Sequence, residues 1–178
     1  MDGQMNSDNY KKTGCYNARC PGFVQVESGI YLGRRFPHVS VYGGPTYESH
    51  ISITQDSVTK NWWITLGNIN IGYYPKALFS NLGSAEFVGW GGRTKTKVGT
   101  PSPPMGSGYF ADGNSSHACY FRSALIQDAS GRTFGPKPNQ ILPFSDKTEC
   151  FGVKYFGYQG EFFGSVLQFG GPGGNCGN

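Results

Sequence analysis

Three neighbouring segments near the middle of the chain alternate apolar and polar residues, and this pattern constrains the fold more than any other feature. The segments are 47–54, 62–66 and 68–74, and short turn-forming stretches separate them. Alternation with a period of two places successive side chains on opposite faces of a β-strand. The three segments therefore predict an antiparallel β-meander.

Composition extends this interpretation to the whole chain of 178 residues. It contains 28 Gly and 11 Pro, and aromatic and charged residues make up 15% each, against roughly 25% charged residues in an average globular domain. A disordered chain needs high charge and few large apolar groups, and a helix bundle is rich in Ala, Leu, Glu and Lys. Both classes are excluded, and one all-β domain is predicted.

One short segment carries the signals of a helix. Pro75 stands at its start and Gly83 supplies a stop, so the sequence predicts about two helical turns over 75–82. No apolar run approaches the roughly 20 residues of a membrane-spanning helix, and the polar residues 1–12 carry no signal peptide. We therefore expect no membrane partner.

The basic residues form one dense cluster. Net charge is +4, and Arg93, Lys95 and Lys97 alternate so that all three lie on one face of a strand. A solvated edge strand protected by Lys is the favoured interpretation over a nucleic-acid footprint, because no nucleic-acid-binding motif accompanies the cluster. We therefore expect no nucleic-acid partner.

The five cysteines indicate a disulfide-containing, secreted domain. None forms a CxxC pair, and the three His residues lack metal-ligand spacing to them. We therefore expect neither a metal nor another cofactor. Asn114 begins an Asn-Ser-Ser glycosylation sequon, which matters only in a secreted chain.

Several residues are candidates for chemistry or binding. Glu86 and Glu161 lie among aromatic residues that can desolvate a carboxyl group. Cys119 and His117 share one strand face and can form a dyad, although a packed strand residue is the favoured interpretation of Cys119. One indole of the Trp62-Trp63 pair is expected in the core and the other as a ligand platform.

The strongest signal is a run of motifs spread over nearly the whole chain. Thr13-Gly-Cys-Tyr-Asn-Ala-Arg-Cys-Pro-Gly-Phe-Val-Gln25 resembles the TGCYNxxCPGFVQ signature of the neprosin family of plant glutamic prolyl endopeptidases. Further family-like motifs follow in order: Ser40-Val-Tyr-Gly-Gly44, Asn61-Trp-Trp63, Gly72-Tyr-Tyr-Pro75, Val88-Gly-Trp-Gly-Gly92, Met105-Gly-Ser-Gly108 and Ala118-Cys-Tyr-Phe-Arg122.

This resemblance implies an antiparallel β-sandwich, secretion, and cleavage of peptide bonds after proline by two glutamates, one acting on the carbonyl and one on water. It also implies the disulfides Cys15–Cys20 and Cys150–Cys176, with Cys119 unpaired. The expected partner is a proline-containing peptide, and the oligomeric state stays open.

The chain departs from the family pattern at both catalytic positions. One family Glu lies upstream of the motif that begins at Thr13, and only twelve residues precede that motif here. The other closes a W-G-G-E run, where this chain has Arg93, or stands just before Trp90, where it has Gly89. An Arg side chain stays protonated and cannot act as a general base.

We therefore interpret residues 1–178 as the C-terminal portion of a neprosin-type peptidase domain, catalytically incompetent and with a sandwich incomplete at its N-terminal side. Such a sandwich exposes strand edges and apolar surface. The alternative is a non-catalytic sandwich that binds peptide or glycan through groove aromatics. These candidate groove residues are Trp62, Trp63, Tyr73, Tyr74 and Trp90.

Overall fold

The computed structural model describes residues 2–3, 15–16, 21–79 and 83–176. The fold is all-β with antiparallel sheets, as the sequence predicts. The chain forms two compact units, one from Met1–His38 and Tyr47–Glu86 and the other from Val39–Thr46 and Phe87–Asn178. The face-to-face packing of a sandwich stays a prediction.

The first unit contains a strand pair and a four-stranded sheet. Strands β1 and β2 pair with each other, and the sheet has the order β3-β6-β5-β4. The predicted meander is confirmed, because β4, β5 and β6 are consecutive antiparallel neighbours. The strands are β1 (Asp2–Gly3), β2 (Cys15–Tyr16), β3 (Val24–Gln25), β4 (Ile51–Gln55), β5 (Trp62–Leu66) and β6 (Ile69–Tyr74).

Burial in this sheet is concentrated on its inner strands. Ile64 of β5 and Ile71 of β6 are buried, whereas Ile51 and Ile53 on the edge strand β4 are 48% and 55% exposed. Edge strands that carry exposed apolar side chains favour association with other chains. The expectation of exposed apolar surface is met at this edge.

The predicted helix over 75–82 is shorter than expected. A 3₁₀ helix spans Lys76–Leu78, and Phe79 after it is already extended, while residues 80–82 lie outside the described part. The Phe79 ring packs edge-on against Tyr74 at 6.3 Å between centroids. This packing favours an extended Phe79, and no side chain caps the start of the turn, so tertiary contact overrides the weak local signal.

The second unit contains a three-stranded sheet of order β10-β11-β7 and a β8-β9 hairpin. Every residue of β11, the central strand, is buried. Aromatic and glycine residues alternate over 151–169, which predicts a Gly-bent terminal strand pair. The antiparallel pair β10 and β11 confirms it, with an unpredicted helical turn between them. The elements are β7 (Cys119–Phe121), β8 (Ile126–Gln127), β9 (Thr133–Phe134), a 3₁₀ helix (Pro138–Gln140), β10 (Gly152–Tyr158), α1 (Gly160–Phe163) and β11 (Ser165–Gly170).

The C-terminal segment is held by a disulfide and by two isolated β-bridges. Cys150 and Cys176 are bonded, with a Cα–Cα distance of 6.0 Å, so this predicted pair is confirmed. Backbone hydrogen bonds join Ser102 to Gly174 and Met105 to Gly171. Cys119 is a free thiol, as expected. The predicted Cys15–Cys20 pair lies outside the described residues, because Cys20 is not among them.

Within the described residues, no helix has both the length and the apolar character needed to cross a membrane.

Loss of the disulfide should destabilise the fold. Its cysteines are 26 residues apart, and cross-linking a loop of this size stabilises a protein by about 3 kcal/mol, chiefly by restricting the unfolded chain. We expect Cys150→Ser to lower the free energy of unfolding by this amount in urea titrations. Cys119→Ser is the control and should change it by less than about 0.5 kcal/mol. Equal stability of Cys150→Ser and the wild type would contradict this role.

Candidate functional site

The segment that resembles the family's catalytic run is held against the sheet of the second unit at Gly92. A Cβ atom at this position would lie 2.5 Å from Met105 Sδ and 2.7 Å from Phe169 Cε2. Atoms cannot approach that closely, so only glycine allows this contact. Phe169 in turn stacks on Phe121 at 5.4 Å between ring centroids. The packing of Gly92 therefore determines the backbone position of the next residue, Arg93.

The Met105-Gly-Ser-Gly108 segment depends on a second close approach. Gly106 has a φ of 64°, and a Cβ there would lie 2.8 Å from Cys119 Cβ. Met105 N–H donates to the Gly171 carbonyl at 2.9 Å. The segment is therefore fixed on one side by β7 and on the other by the residue that follows β11.

The five candidate groove aromatics do not all face one way or belong to one unit. Trp62 and Tyr74 are cross-strand partners, and Trp63 and Tyr73 are the next pair, so the two pairs lie on opposite faces of the sheet. Trp62 shares its face with the buried Ile64. Its Nε1 atom is buried and makes no hydrogen bond among the described residues. Trp90 belongs to the second unit.

Trp63 and Tyr73 line a cavity of about 490 Å³ in the first unit. Their ring centroids are 4.7 Å apart and the rings are tilted by 42°. The remaining lining is polar and includes Thr54, Asp56 and Asn70. The arrangement offers an aromatic surface beside hydrogen-bonding groups, which is typical of small-molecule sites.

The family model described as Neprosin matches residues 3–172, nearly the entire chain. The chain belongs to the neprosin family. Because a fold can be kept while its chemistry changes, the activity depends on which side chains stand at the family's catalytic positions.

In this neprosin-family chain, the position expected for a catalytic Glu holds Arg93 or Gly89. Arg93 is exposed and directly follows the packed Gly92. A guanidinium group has donors only and is permanently protonated, so it cannot accept a proton from water. Neither residue has the carboxyl group that the resemblance implies for this position.

The two glutamates noted in the sequence lie elsewhere. Glu86 is exposed in the first unit, and Glu161 is exposed on α1 of the second. Since both carboxyl groups face solvent, the expected desolvation by aromatic neighbours is absent. The aromatic residues next to these glutamates in the sequence were misleading, because sequence neighbours do not determine whether a side chain is shielded from solvent.

The Cys119–His117 dyad, the less favoured interpretation of the sequence, does not form, and His117 belongs to a different cluster. His117 Nδ1 lies 2.7 Å from Asp112 Oδ2, and its Nε2 lies 3.3 Å from Asn114 Nδ2. The imidazole also stacks on Tyr42, with centroids 4.6 Å apart. The hydrogen bond from His117 is the main reason that the pKa of Asp112 is lowered. Sequence reasoning missed this cluster, and the only signal was the turn-forming Asp112 five residues before His117.

Cys119 has no activated thiol. Desolvation of its sulfur raises the pKa of Cys119, although the residue as a whole is exposed. A thiol must lose its proton to act as a nucleophile, and a raised pKa opposes that loss. No described contact joins its sulfur to the His117 ring, so the geometry gives no Cys-His dyad.

Across the described residues, no group of three or more His, Cys, Asp or Glu side chains could hold a metal ion.

Substitution at Gly92 should test the packing that sets the location of residue 93. Gly92→Ala forces Met105 or Phe169 to move, and overpacking of this kind costs about 1–3 kcal/mol. Gly89→Ala and Gly91→Ala are matched controls, because a Cβ at either position meets no atom within 4 Å. Thermal melts should show a lower Tm for Gly92→Ala than for both controls. Equal melting of the three variants would contradict the close approach.

Proposed function

We propose that this neprosin-family protein does not cleave peptide bonds after proline, although it keeps the family fold. The observation that carries the proposal is the packing of Gly92 against Met105 and Phe169, which fixes the location of Arg93. A glutamic peptidase places a water molecule between two carboxyl groups, and each contributes typically 10²–10⁴-fold to the rate. A guanidinium group at one of these positions supplies neither proton acceptor nor negative charge.

The charge around this position also opposes the chemistry. Lys95 and Lys97 follow Arg93 at alternate positions in the second unit, and all three side chains are exposed. The predicted strand that would place the three on one face is absent, because residues 91–97 are irregular. Positive charge near the position stabilises hydroxide but leaves no group to take the proton from water. It also favours the ionised form of any nearby carboxyl group, which removes the proton that a general acid must donate.

A shift in register would not bring Glu86 to the site. Glu86 stands seven residues before Arg93, and the segment between them ends at the tightly packed Gly92. Sliding the chain would place a larger residue where only glycine fits. Replacement of the missing carboxylate by Glu86 is therefore opposed by packing as well as by distance along the chain.

Hydrolysis of a chromogenic peptide with proline before the reporter group tests this proposal. We expect no cleavage above the uncatalysed rate at acidic or neutral pH. Arg93→Glu in a fusion that adds the N-terminal segment of a family peptidase, which carries the other expected Glu, should raise the rate. Lys97→Glu, the matched charge reversal, should not, because it restores no carboxylate at the family position.

One outcome would refute the proposal directly. Post-proline cleavage by the wild type, lost in Glu86→Gln or Glu161→Gln, would show that the catalytic carboxylate stands at one of those positions. Cleavage by the wild type that survives both substitutions would equally refute it. Loss of folding as the cause of inactivity is checked by comparing the melting curves of all variants.

We also propose that the protein is secreted. The Cys150–Cys176 disulfide supports this, because disulfides persist mainly in oxidising compartments. The sequon residue Asn114 is exposed in a turn, where its Oδ1 accepts hydrogen bonds from the backbone N–H and the hydroxyl of Ser116. One Nδ2 hydrogen can be replaced by a glycan while the other keeps the contact with His117.

Secretion should leave a glycan on Asn114. We expect the protein, expressed in plant cells from its genomic locus, to appear in the medium, and mass spectrometry to find the glycan on the peptide that contains Asn114. Ser116→Ala removes the hydroxyl that the sequon requires and should abolish the modification. Ser115→Ala is the matched control and should retain it. An unmodified or cell-retained wild type would contradict the proposal.

A further inference from the structure

The residues that line the cavity beside Trp63 and Tyr73 have no expected role in the peptidase chemistry of the family. They all belong to the first unit, between Thr54 and Tyr73. Arg93 is not among them, so an inference about this cavity does not depend on whether the protein is a peptidase.

The aromatic wall of the cavity is rigidly placed. Trp63 and Tyr73 are directly opposite on β5 and β6, and both side chains are half-buried. Thr54 of β4 is the cross-strand partner of Trp63 on its other side. The sheet therefore presents two aromatic rings and a hydroxyl group in a row, and little ordering is needed when a ligand binds.

The polar lining has atoms that the fold leaves available. Asn61 and Asn70 use their Oδ1 atoms as acceptors, from Lys76 N–H at 3.0 Å and from the Thr65 hydroxyl at 2.9 Å. Within the described part of the chain, each keeps an Nδ2 group without a hydrogen bond. These two amides are therefore oriented donors.

Asp56 supplies a hydrogen-bond acceptor, in contrast to the two amide donors. Its Oδ1 accepts three hydrogen bonds, two from the backbone N–H and hydroxyl of Thr59 and one from Val58 N–H. The Thr59 hydroxyl is the main reason that the pKa of Asp56 is lowered, so this carboxyl is ionised at neutral pH. Among the described residues Oδ2 accepts no hydrogen bond. It remains an acceptor for a ligand.

We propose that this cavity binds a neutral, hydroxyl-rich carbohydrate. Sugar hydroxyl groups donate and accept at once, so they can pair both with the two amide donors and with the Asp56 and Thr54 acceptors. The apolar C–H face of a sugar ring can lie on Trp63 and Tyr73, whose amphipathic rings suit ligands that are polar at the edge.

A proline-rich peptide fits these groups less well. A prolyl residue has a carbonyl acceptor and no N–H donor. Such a segment can satisfy Asn61 and Asn70, but it leaves the Asp56 Oδ2 atom without a donor from the ligand. Binding sites built for hydroxyl groups discriminate strongly against ligands that lack them, because the polar groups of the site then stay unpaired.

Isothermal titration with cellohexaose, xylohexaose and mannohexaose tests the proposal. We expect at least one of them to bind at concentrations below about 10 mM. Asn70→Asp keeps the Oδ1 acceptor for Thr65 and removes the Nδ2 donor, so it should weaken binding about threefold to tenfold. Asn68→Asp adds the same charge in the neighbouring turn, outside the cavity, and is the matched control. Trp63→Ala should abolish binding if its melting curve shows that it folds.

Three outcomes would overturn the proposal. The first is no binding of any of the three oligosaccharides by the folded wild type. The second is equal weakening by Asn70→Asp and Asn68→Asp, which would indicate a charge effect away from the cavity. The third is tighter binding of a hexaproline peptide than of the oligosaccharides, lost in Tyr73→Phe or Asn70→Asp, which would assign the cavity to a peptide.

Discussion

The close approach of the Gly92 backbone to Met105 and Phe169 is the constraint that determines where residue 93 lies in the second unit. Phe169 lies on the fully buried strand β11 and stacks on Phe121 of β7. Met105 is bonded to Gly171, and the disulfide from Cys150 holds the segment after it. Close approach thus explains the glycine at two motif positions, because a side chain at Gly92 or Gly106 would meet another residue.

This constraint separates the fold of the protein from its chemistry. The glycines and aromatic residues that build the neprosin fold are present, whereas the residue next to Gly92 carries a positive charge. A fold can outlast the activity that it once supported. The cavity beside Trp63 is lined by residues of the first unit, so the binding role proposed for it is independent of the residue at position 93.

The sequence predicted those elements whose signal is repeated along the chain. Alternation identified the meander of β4, β5 and β6, and alternating aromatic and glycine residues identified β10 and β11. It failed at Phe79, whose extended backbone and ring contact with Tyr74 leave only a short 3₁₀ helix, because helix propensity alone does not include such side-chain packing. Alternation also placed the side chains of Trp62 and Trp63 on opposite faces of the strand, but only the strand pairing shows which indole faces the cavity.

Profiling of cleavage sites in a peptide library, in which mass spectrometry records every newly formed C-terminus, tests the central claim most directly. It covers all residues before the cleaved bond and does not presuppose proline. If Arg93 stands at the position of a catalytic carboxylate, as we propose, the folded protein should leave the library unchanged at acidic and neutral pH. New peptides ending in proline, formed by the wild type and absent with Glu86→Gln or Glu161→Gln, would contradict the account.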